Sequence, residues 1–146
     1  MSLENLASIG RLLPHTPTQK EIRSLLAGAA RSLKDAGQPA ISDATRLTLA
    51  YTAIMEAAQA ALFANGWRPS KSESGHHMTM VQCLVHTIGI PPARMRVLDS
   101  IRHKRNVVDY SGEDVEPSEA REAVAAAKEL LADMKGWLAK NHPELT

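Results

Sequence analysis

The sequence predicts an all-α protein, an antiparallel bundle of about five helices joined by short loops, and three observations predict it. Aromatic residues make up only 3% of the 146-residue chain while 44% is apolar, so alanine and leucine do most of the packing and favour thin, closely spaced helices over strands. Apolar residues recur at three- and four-residue spacing, and strand-like alternation is absent. Prolines and glycines fall between these periodic runs and punctuate them cleanly.

Each element follows in order. Pro14 and Pro17 separate a short opening segment from the first long helix, for which Thr16, Pro17 and Gln19 fit an N-cap, a first-turn proline and a capping-box partner. Ile22, Leu25, Leu26, Ala29 and Leu33 form its stripe, which ends around Gly37-Gln38-Pro39. The next helix starts near Ser42 and carries two apolar ridges. One is bulky (Leu47, Tyr51, Ile54, Met55, Ala58, Ala61, Leu62) and one is small (Ala50, Ala53, Ala57, Ala60, Ala64), as a central helix packed on more than one side requires. Asn65-Gly66 stops it, and Trp67 to Gly75 reads as a polar, basic loop with Trp67 folded back as an apolar plug.

A shorter helix from about Ser74, capped by that serine, aligns His77, Val81, Leu84, Val85 and Ile88 and closes at Gly89. Pro91-Pro92 opens a basic helix that fades at Ser111-Gly112. After the acidic loop Glu113-Asp114-Val115-Glu116, Pro117 opens the last helix, with Ala120, Ala123, Val124, Ala127, Leu131, Met134 and Leu138 inward. One domain over residues 1–146 is expected, its core at roughly 18–138.

The formal net charge of +1 means that any nucleic-acid binding must come from a local patch. Cys83 is the only cysteine, so it reads as a buried structural thiol and excludes an intramolecular disulfide. Nothing resembles a signal peptide, no stretch approaches the ~20 apolar residues of a membrane span, and a cytoplasmic protein without membrane contact is expected.

The basic helix holds the candidate chemistry. Read from Pro92, it sets Arg94, Val97, Leu98, Ile101, Arg105 and Val108 on one stripe, so Arg105 points along the apolar face. A guanidinium there calls for a counter-charge, a ligand or a subunit boundary. Arg102 and Asp109 lie close in sequence, and Asp109 stands one helical turn from Arg105 as a possible ion-pair partner. His76 and His77 diverge by about 100° on a helix and so do not share a metal; no metal site and no cofactor are expected. In this phase His77 packs at the first turn and His76 is exposed, His86 is a flank histidine, and His15 and His142 sit in flexible ends. Arg96 and His103, seven positions apart, form a second loose arginine–histidine pair away from the stripe.

Three stretches resemble the HEPN superfamily of compact helical bundles found in toxin–antitoxin systems, RNA-processing enzymes and nucleotide-binding modules. They are Ala60-Ala61-Leu62-Phe63-Ala64-Asn65-Gly66 closing the central helix, Gly75-His76-His77 opening the next, and Arg105-Asn106 late in the basic helix, within a likeness that spans roughly Thr18 to Leu138. The resemblance implies a HEPN-like bundle. In active members an arginine, a following polar residue and a histidine a few positions on support metal-independent RNA cleavage in a dimer cleft. Arg105 matches the arginine and Asn106 the polar residue, while Tyr110 takes the place of the histidine. A phenol, with an ordinary pKa of about 10, is a poor general base at neutral pH but donates a hydrogen bond to phosphate.

The resemblance therefore implies a nucleotide- or RNA-phosphate-binding module at Arg105, Asn106, Tyr110, Arg102 and Asp109, a weakened or lost ribonuclease, in a homodimer. A nucleotidyltransferase-like antitoxin is the partner it implies. Two alternatives stay open. One is a structural interaction domain with Arg105 neutralised by Glu56 or Asp109. The other is an active ribonuclease toxin drawing its imidazole from His76 or His103.

Overall fold

The computed structural model describes residues 2–72 and 74–146. The long helices are α2 (Gln19–Ala36), α3 (Asp43–Ala64), α6 (Pro92–Ser111) and α7 (Pro117–Asn141). Between α3 and α6 the expected single helix is two short pieces, α4 (His76–Gln82) and α5 (Leu84–Thr87), broken at Cys83. A short α1 (Leu3–Ser8) precedes them, and a 3-10 turn at Pro143–Leu145 follows.

The bundle is built around α3. Every residue of both its ridges is buried, the alanine ridge allowing close approach of neighbouring helices, and α3 packs most extensively against α2 and α7. By length and composition this 22-residue helix is apolar enough to cross a membrane, contrary to the expectation from sequence, but 67% of that window is buried inside the protein. The central position accounts for the composition.

Two strands were not expected. β1 (Leu12–Pro14) and β2 (Trp67–Pro69) pair antiparallel, with Leu12 opposite Pro69 and Pro14 opposite Trp67. Three residues per strand are too few to show alternation in sequence. The ribbon ties the opening segment to the end of α3, and Trp67 packs partly buried against the core, as the plug reading expects.

The first cap also differs. Thr18, not Thr16, is the N-cap of α2: its hydroxyl accepts from the Glu21 amide at 3.2 Å and the Glu21 carboxylate accepts from the Thr18 amide at 3.1 Å, so Gln19 is not the partner. His15 is not in a flexible end. It stacks on Phe63 with ring centroids 4.1 Å apart and bonds Glu21. His142, at the end of α7, is half-buried, with its ring 5.5 Å from Trp137.

Helix α6 is docked along a narrow seam. Leu98 and Ile101 are its buried residues, whereas Val97 is 53% exposed and so lies outside the seam that the sequence pattern drew. Arg94 pairs with Asp133 at 2.5 Å and tethers α6 to α7.

Candidate functional site

Tyr51, His77 and Arg105 meet where α3, α4 and α6 converge, and Arg102 stands about one turn before Arg105 on α6. Tyr51 is 4% exposed, and its hydroxyl lies 2.8 Å from Nδ1 of His77 on α4. The start of α4 decides which histidine arrives there. The N-cap is Gly75 rather than Ser74, with φ at +77°, a left-handed conformation that glycine adopts without a Cβ penalty. His77 on the first turn then bonds Tyr51 and is exposed on its other side, while His76 is half-buried with its ring 4.5 Å from that of His77, edge to face. This reverses the expected burial of the two.

From α6, the Arg105 guanidinium lies over the Tyr51 ring at 5.1 Å from its centroid. Such a cation–π contact contributes about 0.5–1 kcal/mol at a partly open site. Arg105 Nε is also 3.1 Å from Asp109 Oδ2, one turn on. The nitrogen is buried without a properly aligned hydrogen bond, so this is a charge pair rather than a directed bond. Arg102 is the more buried cation, its side chain 16% exposed against 30% for Arg105, and its Nε donates to Asp99 Oδ1 at 2.8 Å. An arginine on an inward-leaning face therefore does have partners: an aromatic face and a carboxylate.

The electrostatics follow from this packing. Burial pushes the Tyr51 phenol above its ordinary range, against the opposing pull of Arg105 and Arg102. Burial lowers the His77 imidazole, and the charges of His76, Arg105 and Arg102 lower it further. At neutral pH the pair is thus a protonated phenol beside a neutral imidazole. A neutral ring donates at one nitrogen and accepts at the other, so the Tyr51 bond at Nδ1 forms with the phenol as donor in one tautomer and as acceptor in the other.

The remaining residues that the sequence singled out spread along α6. Asn106 is half-buried beside Arg105, and Asp109 is exposed and engaged with Arg105. Tyr110, at the end of the helix, is 94% exposed. His103 and Arg96 are both exposed. The structure brings Arg102, Arg105, Asp109 and, through His77, His76 together, and leaves His103 and Tyr110 outside the cluster. Sequence reasoning passed over Tyr51 and His77 as site residues. Their signal was a lone phenol on an alanine-rich helix, which looks like ordinary core until its neighbour is known.

Among the described residues no group of three or more His, Cys, Asp or Glu side chains is arranged to hold a metal ion. Cys83 is buried, and burial pushes its thiol up to about 11. The chain matches no curated protein and no solved structure. The family model of the HEPN domain matches residues 22–137, a span that contains Tyr51, both adjacent histidines and all of α6. On that match the chain belongs to the HEPN domain family.

Proposed function

We propose that this chain is a HEPN module that binds a phosphate of RNA or of a nucleotide on the face formed by Arg102, Arg105 and His77. The observation that carries the reading is that the Arg105 guanidinium and the His77 imidazole both meet Tyr51, with Arg102 about one turn before Arg105 on α6. A guanidinium fork presents paired N–H donors to phosphate oxygens, and a surface that is only partly solvated strengthens each contact. Asn106 adds an amide on the same helix, and Tyr110 offers an exposed phenol farther along it. The reading includes a homodimer in which two α6 helices face one another, so that an anion relieves the repulsion between like charges.

Fluorescence anisotropy with labelled single-stranded RNA tests this. Binding should weaken with salt, with a log–log slope near −0.7 for each phosphate neutralised. R105A should weaken binding about tenfold or more, the cost of about one charge-assisted contact, whereas R96A, on an exposed side of α6, should not. Binding unchanged in R105A, with only stability affected, would instead favour the structural interaction domain, which the Arg105–Asp109 pair by itself would serve.

A further inference from the structure

We propose that His77 is a phosphate-binding residue that takes up a proton when phosphate binds, so that affinity at this face rises as pH falls. The inference rests on the phosphate-binding reading above and adds to it the source of the charge that the ligand needs.

The two arginines do not supply that charge alone. Arg102 is paired with Asp99 and Arg105 with Asp109, at 2.8 and 3.1 Å, so each guanidinium is partly neutralised by its own carboxylate while still acting on His77. A phosphate brought to this face adds at least one negative charge to that set. The groups able to answer it are the imidazoles. From α3, His77 faces Tyr51; on α4, His76; from α6, Arg102 and Arg105 with Asp99 and Asp109 behind them. Of these side-chain types, imidazole is the one whose ordinary range lies next to neutral pH, and a phenol has no positive charge to give.

His77 is built for the change. Tyr51 engages Nδ1 and the residue as a whole is exposed, so Nε2 is the nitrogen left for a ligand. The phenol accommodates both protonation states, because a hydroxyl donates to the neutral ring nitrogen and accepts from the N–H of the imidazolium. Protonation therefore keeps the Tyr51 contact, leaves an N–H at Nε2 and makes the ring cationic. In the free protein, burial and the neighbouring positive charges oppose that proton. A phosphate between the guanidiniums and His77 cancels the repulsion, and by linkage whatever the phosphate does for the proton, the proton does for the phosphate.

The test is Kd as a function of pH for a labelled oligouridine with a 5′-hydroxyl, a ligand whose diester phosphates do not titrate in the range used. For wild type, affinity should rise as pH is lowered from about 8 to about 6, by up to about tenfold per unit while one proton is taken up. H77Q should bind at the weak, high-pH level throughout with a flat profile. H86Q, whose histidine lies exposed on α5, should retain the wild-type slope, and circular dichroism should show each variant folded. A flat wild-type profile, or an H77Q profile as steep as wild type, overturns the inference and leaves the phosphate-binding reading standing. Absence of binding at every pH overturns both.

Discussion

The Tyr51 hydroxyl stands 2.8 Å from His77 Nδ1, a single bond that joins the middle of the core helix to the first turn of α4. The same phenol ring supports the Arg105 guanidinium on its face. One buried side chain thereby fixes two others from two different helices. Y51F separates these roles: it deletes the bond to His77 and keeps the ring. The variant should lose about 0.5–1.5 kcal/mol of stability, the net worth of one hydrogen bond. It should also weaken RNA binding less than R105A does. Urea denaturation and anisotropy measure the two effects, and a Y51F variant as impaired in binding as R105A would mean that the bond, not the ring, organises the face.

The cap of α2 gives a second expectation. Thr18 and Glu21 satisfy one another reciprocally, and Glu21 also bonds His15, which is stacked on Phe63. T18A should cost about 1 kcal/mol, the usual loss for an N-cap, and T16A should cost little. The Glu21 carboxyl is depressed: slight burial raises it, but the bonds from His15 and Thr18 outweigh that. A depressed carboxyl contributes stability that is present above its unfolded value and lost as pH falls through its folded one. E21Q should therefore narrow the stability difference between neutral and acid pH in urea titrations.

The fold was largely legible because its main signal is long-range in the chain. Two complete ridges on α3 specify a central helix whatever the neighbours do, and all of their residues are buried. What escaped was decided over one to three residues. The N-cap of the helix containing His76 and His77 is Gly75 instead of Ser74, and His77, expected inward, does bond Tyr51 yet is the more exposed of the two histidines. Tyr51 itself was read correctly as a core residue, but the destination of its hydroxyl depends on where α4 and α6 dock, which no local pattern encodes. The β1–β2 ribbon escaped for a related reason, since its pairing joins Leu12 to Pro69 across most of the first half of the chain.

Glu56 on α3 offers a prediction about pH away from the site. Its carboxylate lies against Gly28 of α2, occupying the place a Cβ there would take. Burial raises the carboxyl above its ordinary value, and Arg31 only partly offsets this. The sign follows: the charged form is disfavoured in the fold, so stability falls as pH rises through the window above the unfolded value near 4.5. E56Q should remove that decline. G28A should push the flexible carboxylate out to solvent, flatten the same dependence, and gain up to about 0.5–1 kcal/mol from replacing a helical glycine. Urea titrations of both variants at about pH 4, below that window, and at about pH 8 check this. A G28A protein that is destabilised, with its pH dependence intact, would show that Glu56 cannot move aside.

Asp109 tests the charge balance around Arg105 directly. Its Oδ2 is 3.1 Å from Arg105 Nε, and its side chain is half exposed, so the pair contributes little to stability, on the order of a few tenths of a kcal/mol after solvent screening. Its larger effect is on the field at the site, where it cancels one guanidinium. D109N should leave the thermal midpoint nearly unchanged and free that positive charge for a ligand. RNA affinity should then increase at about pH 8, where His77 is neutral, and the difference between high and low pH should shrink because the imidazole proton is no longer needed to the same degree. A drop in affinity at both pH values would assign Asp109 the opposite task, that of holding the Arg105 fork in its binding orientation, and would detach phosphate affinity from the net charge of the cluster.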